Sequence, residues 1–300
     1  MSNGLLLLPD FLLIVCGFLL CRYTALDRPV WESAERLVYY LLFPVLLFNS
    51  IVNSPLQPAQ TLSLAAAGVG VTLCGVLLAF ALQRWPGVDA RMHASGAQVA
   101  FRFNSYMALA LSERLGGAQG VAWMALLIAL CVPIANVAAV WSLARHGGHA
   151  YLRELARNPL IISTVAGLMA NAAGVKFPEP VATTLQRIGV AALPIGLLAV
   201  GAGLKLGGLK RAPGMAAALL SIRHVVLPAL GIGLALALLP AAQRQVVVLF
   251  AAMPTASSAY VLASRMGGDA AYVAGLVTLS TVLGMVSIPL WLAVLQAVSG

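Results

Sequence analysis

The sequence predicts an all-α polytopic membrane protein: ten transmembrane helices in two inverted five-helix repeats, with helices four and nine broken and crossing. Three observations lead there. First, hydrophobic residues make up 61% of the 300 residues and charged residues 9%, with a mean hydropathy of +0.95. A soluble chain is roughly 45–50% apolar and about 25% charged, so this composition excludes an ordinary cytosolic enzyme, a disordered chain and a secreted disulfide scaffold. Second, the apolar residues fall into runs long enough to cross a bilayer, which takes about 20 helical residues per crossing. Third, the chain resembles itself at an offset of 151 residues.

The runs are 5–21, 36–53, 61–82, 94–112, 120–143, 158–174, 187–205, 214–239, 246–264 and 271–295. Helices are the spans to expect, because each satisfies its own backbone in lipid. The first starts at Leu5 with no basic residue before it, unlike a cleaved leader, so it reads as a retained helix. It carries Asp10 near its outer end, read as a solvated cap with a coupling role as the alternative. Pro44 kinks the second span and is followed by Asn49 and Asn53. The third is uninterrupted. The fourth is the most polar, holding Gln98, Arg102, Asn104 and Ser105. Pro133 with Asn136 kinks the fifth, and Pro194 the seventh, where Gly196, Gly201 and Gly203 permit close packing. The eighth carries Arg223 and His224 at mid-span, able to line a cavity or support another helix, with Pro228 beyond. Met253-Pro-Thr-Ala-Ser-Ser-Ala-Tyr260 interrupts the ninth, and Pro289 kinks the tenth.

Basic residues alternate between the two sides of this arrangement. Arg22, Arg28, Arg36, Arg84, Arg91, Arg145, Arg153, Arg157, Lys205, Lys210, Arg211 and Arg265 fall on one side. Arg114, Lys176, Arg187 and Arg244 fall on the other. The richer side is expected in the cytoplasm, which leaves both termini outside. The net charge of +9 thereby reflects orientation in a membrane rather than nucleic-acid binding. Cys16, Cys21, Cys74 and Cys131 lie in or beside apolar runs without a metal-type pair and read as buried bystanders.

The repeat is carried by Leu111-Ser-Glu-Arg-Leu-Gly-Gly117 against Leu262-Ala-Ser-Arg-Met-Gly-Gly268, and by Pro44 and Pro194, 150 residues apart. It divides the chain into 1–150 and 151–300. Five spans is an odd number, so the second unit enters the membrane from the opposite side, as in many alternating-access carriers.

The fourth and ninth spans hold the candidate site. Proline frees backbone groups that, with hydroxyls and helix-end amides, can coordinate a polar solute. The substrate-binding candidates are Arg102, Asn104, Ser105, Thr255, Ser257 and Ser258; Pro254, Pro44 and Pro194 are hinge candidates. Asp10, Asn49, Asn136, Arg223 and His224 are candidates for coupling or for a cavity wall. A cation inside a span is costly and ordinarily faces a cavity or a partner. Arg102 therefore reads either as an anchor for an anion or as a side chain snorkelling to the interface. The sequence holds no Walker loop, nucleophile elbow or zincin motif, and His93, His146, His149 and His224 form no metal pattern. Neither an enzyme nor a cofactor or metal is expected.

Several stretches resemble the auxin efflux carrier family, also called the membrane transport protein family, in its bacterial branch. They are Phe11–Leu20, Leu37–Phe48, Arg157–Ile162, Ala192–Gly201 and, most specifically, Ala252-Met-Pro-Thr-Ala-Ser-Ser-Ala-Tyr-Val-Leu-Ala263 with Gly267-Gly-Asp269. The resemblance implies the inverted-repeat architecture shared in kind with sodium–proton antiporters and bile-acid symporters. It implies a scaffold of helices 1, 2, 6 and 7, a transport domain of helices 3–5 and 8–10, and often a homodimer. It implies carriage of small organic anions such as carboxylates across a bacterial inner membrane, with efflux preferred. The family's crossover residues fall on Asn104 and Pro254. The chain departs from the family after Asn104, where Met107-Ala-Leu-Ala-Leu111 stands in place of Gly and Pro, and in having Asp10. A sodium- or proton-coupled importer and a membrane sensor that binds without transporting are the alternatives.

Overall fold

The computed structural model describes residues 3–53, 58–144, 159–204, 212–256 and 258–299. Ser257 lies outside these, as do His146, His149, Arg145, Arg153, Arg157, Lys205, Lys210 and Arg211. All regular elements among the described residues are helical. In chain order they are α1 (Asn3–Tyr23), α2 (Arg28–Val52), α3 (Pro58–Ala81), α4 (Ala90–Gly96), α5 (Gln98–Phe101) and α6 (Ser105–Ala144). Then follow α7 (Pro159–Ala172), α8 (Glu179–Ala202), α9 (Pro213–Leu238), α10 (Ala241–Ala252), α11 (Ser258–Arg265) and α12 (Ala270–Ser299).

Six stretches of the described residues are long and apolar enough to span a bilayer: Arg28–Val52, Thr61–Arg84, Ala90–Leu143, Glu179–Ala202, Pro213–Leu238 and Ala270–Ser299. The surface is apolar as well. Leu62, Leu77, Met169 and Val286 are each about 70% exposed, whereas Ser95, Gln98, Thr255 and Ser280 are fully buried. Such a molecule is inside-out relative to a soluble domain and is a multi-pass membrane protein.

Several helices extend beyond their apolar runs. α2 starts at Arg28 rather than at residue 36, because Pro29 sets the first turn and Arg28 pairs with Glu32 and Glu35 along the same helix. α8 starts at Glu179 rather than at residue 187, since Pro178 and Pro180 initiate a first turn too polar to register as apolar. The gap expected between the fourth and fifth spans is a single-residue kink within α6. Gly117 there has φ 55° and ψ −150°, a conformation that a side chain would strain.

Two prolines follow widened turns. In α2 the turn Val38–Leu42 is π-helical and Pro44 comes next; in α9 the turn Ile222–Val226 is π-helical and Pro228 comes next. A wide turn accommodates the backbone groups that proline displaces. Pro194 and Pro289 lie inside helices that run on past them.

The chain forms two compact units. One comprises Met1–Thr61, Tyr106–Ala129 and Leu152–Gly203; the other comprises Leu62–Ser105, Leu130–Tyr151 and Leu204–Gly300. In the first, α1 packs along α8, and the Phe43–Val52 half of α2 packs on α7 and α8. The α1–α8 seam is set by glycine: a Cβ at Gly17 would strike the Leu198 carbonyl, and one at Gly201 would strike that of Ile14. Small residues of this kind let membrane helices meet backbone to backbone, where dispersion rather than the hydrophobic effect holds them. In the second unit α10 packs on α9 and α12, and α11 packs on α12. Gly201→Val is expected to open the α1–α8 seam, costing on the order of 1–3 kcal/mol as a lower melting temperature in detergent. Gly233→Ala, where a Cβ meets nothing within 4 Å, is expected to leave it unchanged.

Candidate functional site

Two helix breaks in the second unit build the site. The backbone leaves helix at Arg102–Asn104 and again at Met253–Ala256. Arg102 is extended (φ −77°, ψ 144°), as is Met253 (φ −59°, ψ 139°). At the second break the cause is local: Pro254 drives the residue before it out of the helical region. The first break contains no proline and is fixed from outside. The Asn104 amide donates to the Pro254 carbonyl at 2.8 Å, and the Thr255 hydroxyl donates to the Val99 carbonyl at 2.5 Å. Each break thus satisfies groups that the other leaves open. Met107–Leu111, where the chain departs from the family, is regular helix within α6.

A shell of side chains supports the second break. Ser280 Oγ on α12 accepts from the Thr255 amide at 2.9 Å. A Cβ at Gly284 would lie 3.2–3.3 Å from the Pro254 ring, so a residue without a side chain lets that ring seat on α12. His224 Nε2 shares a hydrogen bond with the same Ser280 Oγ at 2.8 Å, and its Nδ1 one with Ser287 Oγ at 3.0 Å. Trp291 Nε1 donates to the His224 carbonyl at 2.7 Å.

Arg223, 2% exposed, donates from Nη2 to the carbonyls of Phe250 (3.1 Å) and Ala251 (2.7 Å). These belong to the last turn of α10, whose carbonyls lose their helical partners at the break. A cation there answers both the open acceptors and the negative end of the helix dipole. Arg223, read as a cavity liner or as support for another helix, here contacts the last turn of α10. His224 likewise braces α12.

Arg102 and Ser258 are brought together. Arg102 Nη1 donates to Gln98 Oε1 at 3.0 Å and Nη2 to Ser258 Oγ at 3.2 Å. These two neutral partners orient the guanidinium. Gln98 in turn donates to the Ser95 carbonyl at 3.1 Å. Asn104 is buried, Ser105 is half-buried at the first turn of α6, and Ser258 opens α11. Thr255 is fully buried, its hydroxyl proton engaged by Val99.

The remaining candidates lie elsewhere. Asp10 is not a solvated cap: it is 6% exposed and its Oδ2 is 3.3 Å from Arg114 Nε, in the first unit. Asn49 accepts from Asn53 Nδ2 through both its backbone and side-chain oxygens, finishing α2. Asn136 lies half-buried in α6 past Pro133. Four supporting residues escaped sequence reasoning: Gln98 as a partner of Arg102, Ser280, Ser287 and Gly284. Only Gln98 carried a signal, being four residues before Arg102 on the same helix face.

A multi-pass helical protein with polar groups gathered at two touching helix breaks has the kind of architecture that membrane transporters use to hold a polar solute. Comparison with known sequences agrees. Residues 144–292 match the family described as Membrane transport protein. A protein of Rhizobium meliloti (strain 1021) named "Putative malonate transporter" is 28% identical over 278 residues, covering 87% of this chain and 86% of that protein. The chain is thus similar to membrane transport proteins, which are transporters rather than enzymes.

Arg223→Met strands two buried carbonyls and is expected to cost on the order of 3 kcal/mol, seen as a fall of several degrees in melting temperature. Arg223→Lys, which keeps the charge, is expected to recover part of the loss. A melting temperature unchanged by the methionine would remove Arg223 from the support of α10.

Proposed function

We propose that the protein is a secondary carrier that moves a small organic anion, of the malonate-like carboxylate kind, by alternating access. The observation that carries this is Arg102, held by neutral Gln98 and Ser258 beside the two touching breaks. A guanidinium presents a planar fork matched to a carboxylate. Asn104, Ser105 and Ser258 add polar groups beside it, and the helix starts at Ser105 and Ser258 add their positive ends. Thr255 and Pro254 hold the shape of the break. The name of the rhizobial relative favours a dicarboxylate of malonate size.

The architecture proposed for this task is ten crossings in two inverted five-helix units. The paired breaks at Arg102–Asn104 and Met253–Ala256 support it. The proposed scaffold of spans one, two, six and seven falls within the first compact unit, and spans three, eight, nine and ten within the second. Spans four and five are shared, with residues on either side of Ser105 and of Ala129 going to different units. Pro44 and Pro194 contribute bends on the scaffold side. The charge asymmetry supports a bacterial inner membrane location with both termini periplasmic, and the family resemblance a homodimer and efflux.

Counterflow in liposomes tests the reading. Labelled malonate, malate and indole acetate are each offered to protein shown to be folded and inserted. Saturable counterflow of at least one carboxylate is expected, with Arg102→Gln raising its KM tenfold or more (about 1.4 kcal/mol) and Ser258→Ala a few-fold. Counterflow untouched by Arg102→Gln removes the anion role from that residue. Binding of a carboxylate without counterflow points to a sensor.

A further inference from the structure

A second polar cavity lies away from the breaks, within the second unit. It has a volume of about 520 Å³ and is lined by Leu77, Phe80 and Arg84 at the end of the third span, by His93 on α4, and by Trp141 and Ser142 on α6. Its walls are tied together: Ser142 Oγ donates to the Ala94 carbonyl at 3.1 Å, and His93 Nε2 is 2.8 Å from the Ala79 carbonyl. Neither its lining nor its hydrogen bonds enter the transport site described above.

Its chemistry is two-sided. Leu77 is 69% and Trp141 62% exposed, on a surface that otherwise faces lipid. Arg84 also lines it, exposed, with no hydrogen bond or ion pair to any described residue. The acid of this segment, Asp89, accepts from the Met92 amide and pairs with neither Arg84 nor Arg91. Arg91 adds a second positive charge, with Nη2 donating to the Gly267 carbonyl at 2.9 Å. Trp85, 49% exposed, follows Arg84 directly. Tryptophans on either side of an arginine, where an apolar helix ends, mark the level of the lipid headgroups. The loop also belongs to the arginine-rich side of the chain, the side that faces the anionic leaflet of a bacterial membrane.

We propose that this cavity is a binding site for an anionic phospholipid. The phosphate and its glycerol head sit against Arg84 and the His93–Ser142 wall, while the acyl chains leave along Leu77, Phe80 and Trp141. A cavity of this volume lies in the range of small-molecule sites. A zwitterionic lipid has the same chains but places its own cation beside Arg84, so the site discriminates by charge. The site fastens the loop between α3 and α4, the element that leads through α5 to the Arg102 break, and so couples leaflet composition to the carrier.

Native mass spectrometry of the full-length protein in detergent tests this, with dioleoyl phosphatidylglycerol or dioleoyl phosphatidylcholine added. Phosphatidylglycerol is expected to be retained about fivefold more tightly, the worth of roughly one cation beside an anionic headgroup. Arg84→Gln is expected to abolish that preference, Arg84→Lys to keep it, and Arg187→Gln, on the other unit, to leave it intact. Ala81→Glu puts a carboxylate into the same lining and is expected to abolish the preference with Arg84 still present, which covers the case of a misfolded Arg84 variant. Excess soluble glycerol 3-phosphate is expected not to displace the lipid. Equal retention of the two lipids, or a preference that survives both Arg84→Gln and Ala81→Glu, overturns the proposal. Displacement by glycerol 3-phosphate also overturns it and gives the cavity to a water-soluble phosphate ester.

Discussion

The exchange of hydrogen bonds between two interrupted helices is the constraint on which the rest of the second unit depends. In lipid an unsatisfied backbone group costs several kcal/mol, so a helix can be broken at membrane depth only where its open groups find partners. Here the partners come from the other break. The Asn104 amide takes the Pro254 carbonyl and the Thr255 hydroxyl takes the Val99 carbonyl. Neither break is a stable local structure alone. Each is a condition for the other, so polar groups gather at one point in an otherwise apolar protein.

The same requirement explains the surrounding side chains. α10 ends with acceptors that its own backbone cannot fill, and Arg223 fills two of them from α9. The Thr255 amide, released by the proline beside it, goes to Ser280, and Ser280 is oriented by His224. Arg223 and His224 sit in the π-helical turn of α9, with Pro228 just beyond it. A π-turn shifts the register of the residues that follow it by one position relative to a regular helix. Irregularity in α9 thus serves the break after α10, whose Pro254 ring seats on α12 at Gly284.

Much of this was legible in the sequence. Composition alone gives the membrane class, and the apolar runs fall on the helices. Pro254 marks the second break because proline acts through its own ring, wherever the chain goes. Asn104 marks the first only through family resemblance and register with Thr255, since no residue there is itself a helix breaker and its cause is a tertiary contact. Helix starts at Arg28 and Glu179 were missed because polar first turns carry no apolar signal, although Pro29 and Pro180 mark them. Asp10 was misjudged for a related reason. Its partner Arg114 stands 104 residues away, and pairing across that separation has no trace in local pattern.

Arg114, Arg223 and Arg102 separate by the chemistry of their partners, a distinction that hydropathy cannot make. Arg114 meets a carboxylate, and the pair is close to neutral toward any further ion. Arg223 meets two carbonyl dipoles at the end of a helix, and its charge is matched by the field that the helix creates. Arg102 meets an amide oxygen and a hydroxyl, neutral groups that fix its direction. A cation in lipid ordinarily demands compensation. Arg114 receives it from Asp10 and Arg223 from the last turn of α10, while Gln98 and Ser258 fix the direction in which Arg102 presents its planar fork.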